Sequence, residues 1–297
     1  MTCQRTLQAY LLLFFLSLVI ALQFTSLANS VNDQESELLE TGKATKIQNA
    51  AASPAAIKIV SYNIRWRGGE DLRKLIELFK TDKEIGGASI LGLQEVDRNK
   101  KRTMNQNTAR ALAEELGMHY AWAAPPPPAK DNAPQEEETG VCILSAYPLT
   151  DVERILLPNE GPQGRRRVAI GATVQIGQRS VRVYSVHAEI RASNRERLQQ
   201  LQAVIDDLDK RHEQVARAVV LGDFNTWTGK DVDSTAKLFT GAKFSTPFVN
   251  GLTTWKTFII ELKLDWLWLR GLQPVNYGID RKIRLSDHWP LWVEVKL

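Results

Sequence analysis

Two rhythms of apolar residues interleave along most of this chain, one with the period of a strand and one with the period of a helix. Residues 57–65, IKIVSYNIR, alternate like a strand that ends in Asn63, and residues 70–83 then carry Leu72, Leu75, Ile76 and Phe79 on one helical face. ASILGLQEV is a second apolar strand, closing on Glu95. Ala109, Leu112, Ala113 and Leu116 keep helical phase up to Gly117, a glycine placed as a C-cap. HYAWAA and VCILS read as strands on either side of residues 125–138, where four consecutive prolines and an acidic run mark an exposed loop or lid. Strands follow at 152–156, 168–176 and 180–186, the last leading into His187. Ser193 and Glu196 have capping-box spacing, and Leu198, Leu201, Ile205 and Leu208 share a helical face to about residue 211. Next comes VVLGDFN, residues 219–225, an apolar run that stops at a glycine and presents Asp223 and Asn225. A loop of mixed polarity separates it from LDWLWLRG, an alternating strand starting at Asp265, and SDHWPLWVEVKL puts Asp287 and His288 just before the final strand.

Strands outnumber helices, and the strand pairs around Gly177 and Gly271 read as antiparallel neighbours. The expected class is α+β, two packed sheets flanked by helices. With 297 residues, 43% hydrophobic and 24% charged, the chain has the make-up of one larger globular domain, and no internal repeat divides it. The N-terminus changes that picture. Arg5 precedes an apolar run at 10–22, and Ser26 and Ala28 follow, the pattern of a signal peptide over residues 1–28 cleaved after Ala28. The competing reading is an uncleaved membrane anchor over residues 9–28, because the run through Phe24 and Leu27 approaches the roughly 20 residues that span a bilayer. Residues 29–54 are polar and small and read as a flexible tether to a domain at 55–297. An exported chain, periplasmic or secreted, would keep Cys142 as its single cysteine, so packing and not a disulfide must hold the fold.

Asn63, Glu95, His187, Asp223, Asn225, Asp265, Asp287 and His288 all fall at strand ends, where a rigid scaffold presents functional groups. A carboxylate-rich set without cysteine or clustered histidine suits a hard divalent cation, Mg²⁺ or Mn²⁺, better than structural zinc. Such sites handle phosphates. The net charge of +4 permits an anionic partner without demanding one. Basic clusters at 98–102, 165–167 and 281–284 adjoin the strand-end motifs and would form a positive rim that favours polyanions such as nucleic acid. Trp266 and Trp268 read as core, whereas Trp227 and Trp289 stand beside motifs and either stack on a base or pack.

In this order, SYNIR, LQEVD, the His187 strand, GDFN, LDW and SDH resemble the endonuclease/exonuclease/phosphatase superfamily over most of the chain after Ile57. The resemblance implies a DNase I-like four-layer α/β/β/α sandwich of two mixed, mainly antiparallel sheets, and metal-assisted attack of water on a phosphate ester. It implies Glu95 as principal metal ligand with Asn63 and Asp287, and Asp223 as the group that activates water. Asn225, Asn63 and Arg167 would hold phosphate, while His288, oriented by Asp265, would contact the scissile group. His187 would be a second catalytic histidine, with Glu138 as its carboxylate partner. The expectation is a monomeric exported phosphodiester hydrolase acting on DNA or RNA. The alternatives are a phosphodiesterase or phosphatase of lipid headgroups or small esters, and an inactive anion-binding module, although every motif residue needed for hydrolysis is present.

Overall fold

In a computed structural model of the chain, residues 38–47, 50, 54–127, 138–211, 215–249 and 251–297 are described. The expected leader and the core of the proline-rich loop lie outside them. The elements are β1 (Leu39–Lys43), β2 (Ala56–Asn63), α1 (Gly69–Thr81), β3 (Ile90–Arg98), α2 (Thr108–Leu116), β4 (His119–Ala123) and β5 (Glu138–Ser145). There follow β6 (Leu149–Leu156), β7 (Val168–Ile176), β8 (Arg179–His187), α3 (Asn194–Asp209), β9 (Ala218–Asp223) and α4 (Gly229–Gly241). The chain ends with β10 (Trp255–Lys256), β11 (Glu261–Leu262), β12 (Asp265–Arg270), β13 (Gln273–Ile279) and β14 (Leu291–Lys296). Residues 41–297 make one compact unit. Among the described residues, no helix is long and apolar enough to cross a membrane.

The strands build a seven-stranded sheet in the order β1-β4-β5-β3-β2-β14-β13, a five-stranded sheet in the order β12-β9-β8-β7-β6, and the separate hairpin β10-β11. β2 with β3 and β8 with β9 run parallel; β14 with β2, β3 with β5, β12 with β9 and β7 with β8 run antiparallel. The two sheets face each other closely. A Cβ on Gly92 of β3 would stand 2.0 Å from Leu221 Cδ1 of β9, so only glycine fits that crossing. Gln94 Nε2 also donates to Ser185 Oγ across the gap at 3.0 Å. Against the outer face of the five-stranded sheet, Leu201, Val204, Ile205 and Leu208 of α3 and Phe239 of α4 join one buried cluster with Tyr184, Phe224, Trp266 and Trp268. Trp266 and Trp268 are stacked at 5.2 Å, as core residues should be. α1 buries Leu72, Leu75, Ile76 and Phe79, and α2, which packs against α1, β3 and β4, buries Leu112 and Leu116. The architecture is the expected four-layer α/β/β/α sandwich.

Three expectations change. The strands flanking Gly271 are not neighbours: β12 pairs with β9 in the smaller sheet, and β13 pairs with β14 in the larger. Gly271 does turn the chain, at φ +67, but its backbone lies so near Ala216 O that a Cβ would sit 2.1 Å away. Burial separates the two strands, because β12 is covered on both faces while β13 is an exposed edge that can accommodate Pro274. The stretch read as a loop after VVLGDFN contains α4, started by a Thr228/Asp231 capping box and buried through Thr235 and Phe239. Finally, β1 is a strand within the stretch expected to be a tether.

Candidate active site

Register brings the strand ends together. In the five-stranded sheet, the parallel pairing of β8 with β9 sets His187 beside Asp223, and the antiparallel pairing of β12 with β9 sets Asp265 on its other side. Asn63 ends β2 of the opposite sheet, and Glu95 sits in a bulge of β3 between Gln94 and Val96. Glu95 has φ +56, a conformation that costs a non-glycine residue on the order of 1–3 kcal/mol and turns its carboxylate out of the sheet. The loop before β14 contributes Asp287 and His288. All these residues except Asn63 and Asp265 line one cleft of about 230 Å³, with Asn225, Arg167, Arg65 and the tryptophans Trp66, Trp227 and Trp255 among its other walls.

Asp223 is the centre. Its Oδ2 accepts from Asn63 Nδ2 at 3.0 Å and its Oδ1 from the Asn225 amide at 3.0 Å. His187 Nε2 and His288 Nε2 stand 3.6 and 3.7 Å from the same Oδ2, just beyond hydrogen-bond reach. His288 Nδ1 meets Asp265 Oδ2 at 2.8 Å, which fixes the ring and leaves Nε2 facing Asp223. Asn63 Nδ2 also reaches Glu95 Oε1 at 3.2 Å, joining the two sheets' contributions. Asn225, at φ +52, donates its side-chain amide to Ala188 O.

The electrostatics differ from group to group. Burial raises the Asp223 pKa well above the carboxylate range, Asp265 adds to that, and the nearby His288 opposes it without winning. For His288 burial favours the neutral ring, yet Asp265 and Asp223 outweigh it and hold the imidazolium to well above neutral pH. His187 is the reverse case: burial, with Arg167, His288 and Arg165, drives its pKa well below 6.5, so it is a neutral imidazole. Two histidines on one carboxylate thus carry different charge.

Asp223, Asp265 and His288 place ligand atoms within 4.8 Å of one another. Because His288 Nδ1 is already bonded to Asp265, that trio reads as a hydrogen-bonded relay. A cation fits better at Glu95, whose Oε2 is buried without a hydrogen-bond partner and whose carboxylate borders the cleft. Asn63 Oδ1 is already occupied by the Arg65 amide at 3.1 Å. Asp287 Oδ2 takes both Arg65 at 3.2 Å and Trp255 Nε1 at 3.1 Å.

Two expected roles move. Glu138 does not bond His187 among the described residues: it is held by Arg98 through two bonds of 2.9 and 3.0 Å, with Arg98 also over Trp122. The clusters at 98–102 and 165–167 are mostly matched by carboxylates, Arg102 by Asp97, Arg166 by Glu160 and Arg167 by Glu189, so neither makes an open positive rim, whereas Arg281 and Arg284 of the third lie over Trp289. Arg167 nevertheless lines the cleft, with Glu189 fixing its Nε at 2.9 Å. Of the two open tryptophans, Trp227 lines the cleft, while Trp289 is buried beneath Arg281 and Arg284. The sequence reading did not single out Arg65, Trp66 or Trp255. IRWR directly after Asn63 could have signalled the first two, whereas nothing local marks Trp255.

Residues 60–288 match the Endonuclease/Exonuclease/phosphatase family. No curated protein matches the chain. Among solved structures, an endonuclease/exonuclease/phosphatase family protein from Leptotrichia buccalis C-1013-b is 16% identical at a TM-score of 0.62, covering 81% of this chain and 100% of that one. TDP2 from Caenorhabditis elegans is 18% identical at 0.60, covering 84% and 77%. The 3'-5' exonuclease NExo from Neisseria meningitidis is 20% identical at 0.58, covering 81% and 100%. Over three quarters of its length and through every motif at its strand ends, this chain belongs to the endonuclease/exonuclease/phosphatase family of phosphoester hydrolases, which work with a divalent metal.

Proposed function

We propose that this chain is an exported Mg²⁺- or Mn²⁺-dependent phosphodiesterase that cleaves nucleic acid, and that it acts as a monomer. The observation that carries the reading is the convergence on Asp223 of Asn63 and His288 from the larger sheet and of His187 and Asp265 from the smaller one. A buried carboxylate with a raised pKa is suited to take a proton from water, and Asp223 fills that role. His288, kept cationic and aimed by Asp265, faces the phosphate and offsets the charge that grows on its oxygens. Neutral His187, Asn225 and the Glu189-braced Arg167 supply further donors to the phosphate. Glu95, with Asn63 and Asp287 beside it, would hold the cation, which when bound supplies Lewis-acid stabilisation of the phosphoryl oxygens.

Nucleic acid as substrate draws support from the cleft wall, where Arg65 and Arg167 stand among Trp66, Trp227 and Trp255, a mix suited to phosphates and stacked bases. A 3' phosphatase from Neisseria of the same fold was solved bound to a product DNA hairpin. Export, whether by cleavage after Ala28 or as an anchored enzyme, rests on the leader sequence alone. A second reading, a lipid-headgroup phosphodiesterase, draws on apolar side chains exposed on the hairpin that carries Trp255.

The test is turnover of plasmid DNA, RNA, sphingomyelin and a chromogenic phosphodiester by the full chain with Mg²⁺, Mn²⁺ or EDTA. Cleavage of DNA or RNA that EDTA abolishes is the expected result. Preference for sphingomyelin would transfer the assignment to the second reading, and no hydrolysis of any substrate would leave an anion-binding module.

A further inference from the structure

The β10-β11 hairpin ends in an apolar tip with nothing covering it among the described residues. Phe258 is 99% exposed, Ile259 83% and Ile260 47%. Three consecutive large apolar side chains in water are costly to keep on a soluble surface, unlike scattered single ones. The tip is also held in shape. Thr257 N donates to Ile260 O at 2.9 Å and closes the turn. Trp255 pairs with Leu262 and Lys256 with Glu261 beneath it, and a 2.8 Å Lys256–Glu261 ion pair clamps the stem. The apolar groups therefore project outward from a formed turn.

Exposed charge around the stem is mostly basic, with Glu84 and Glu261 each paired to a lysine. Arg281 reaches Thr253 O at the start of the hairpin, and Arg284 lies with Arg281 over Trp289. Lys282, between them, has a side chain 86% exposed, with Glu84 Oε1 3.8 Å from its ammonium group. The acid of the stem, Glu261, is matched by Lys256. An apolar tip above a cationic collar matches a bilayer surface, where hydrocarbon takes the tip and anionic headgroups meet the collar.

The hairpin is tied to the site as well. Lys256 N donates to Asp287 O at 3.0 Å, Trp289 N to Thr254 O at 2.7 Å, and Trp255 Nε1 to Asp287 Oδ2 at 3.1 Å. Whatever seats the tip also sets the loop that carries Asp287 and His288. We propose that this hairpin docks the enzyme on a lipid bilayer, inserting Phe258 and Ile259 into the interface so that the mouth of the cleft faces the membrane surface. The inference concerns where the enzyme sits and does not depend on which phosphodiester it cleaves.

A local readout keeps the test independent of the apolar leader. Full-length protein carrying p-benzoylphenylalanine in place of Phe258 is irradiated on phosphatidylcholine vesicles with and without phosphatidylglycerol. A control carries the same label in place of Arg73, exposed on α1. The expected result is a lipid adduct at least about tenfold stronger at position 258 than at 73, increased by phosphatidylglycerol and reduced by Lys282→Glu. Phe258→Ser/Ile259→Ser should also lower vesicle affinity while leaving turnover of the soluble chromogenic diester unchanged, which shows that the variant is folded. Equal labelling at both positions, or adducts at 258 to protein and not to lipid, would overturn the proposal. If the diester is not hydrolysed by any variant but the lipid adduct forms, the functional assignment fails and the docking stands.

Discussion

Two buried carboxylates on the smaller sheet's side of the molecule meet opposite treatment. Asp207, on α3, accepts from Tyr184 OH at 2.6 Å and lies 3.4 Å from both Arg182 and Arg211. Asp223, on β9, has amides and histidines around it, with Asp265 close enough to raise its pKa. The first carboxylate is answered by cations inside the chain and serves the fold. The second is crowded by a like charge and by burial, so it holds free energy that a proton, a cation or a developing transition state can release. In this chain the structural carboxylate is the one paired with two arginines, and the chemical one shares its single cation, His288, with Asp265.

The contrast can be broken most decisively by activity. Asp223→Ala and His288→Ala should each lower kcat/KM on the chromogenic diester by at least about 10³-fold, whereas Asp207→Asn should stay within about threefold. Comparable losses at Asp207 would erase the distinction. Stability should reverse the ranking. Asp207→Ala leaves Arg182 buried without its partner, a loss on the order of 3 kcal/mol and a Tm lower by about 6–12 °C in a scanning calorimeter, while Asp223→Ala should move Tm far less.

A finer test uses pH. The folded-state pKa of Asp223 lies above its unfolded value, so the stability linked to its protonated form is complete below the unfolded pKa and is lost as pH rises through the folded one. In EDTA, the Tm of the wild type should therefore fall between pH 5 and 8 relative to that of Asp223→Asn, by about 2–6 °C, and added Mg²⁺ should narrow the gap. Parallel pH profiles for the two proteins would mean that Asp223 carries no such strain. The smallest effect concerns the brace on Asp287. Trp255→Phe removes one hydrogen bond from its Oδ2 and should reduce kcat by about 2- to 10-fold with little change in Tm.

Local signals were enough for much of the fold. The alternation at 168–176 became β7 with the same ends, the Ser193/Glu196 spacing became the cap of α3, and Gly117 caps α2 in the left-handed conformation. Failures came where pattern is ambiguous. α4 buries too narrow a stripe to stand out, and the turn at Gly271 looks the same whether the next strand pairs back or crosses to another sheet. At the site, strand ends marked the residues Asn63, Glu95, His187, Asp223, Asn225, Asp265, Asp287 and His288, because apolar runs that stop at polar groups are visible in one dimension. Glu138 failed for the opposite reason: its partner, Arg98, is 40 residues away in sequence, on the neighbouring strand.

What the sequence determined by itself is most of the inventory: the strongly periodic elements, though not α4 or β1, and the polar groups at their ends, since both follow from the periodicity of side chains along a short segment. Only the tertiary structure decided which ends meet. The register of β8 and β12 on β9, and the bulge that turns Glu95, are relations between strands distant in sequence, fixed by the packing of two sheets. So too were the charge states of His187 and His288, which depend on burial and on neighbours that no stretch of the chain carries alone.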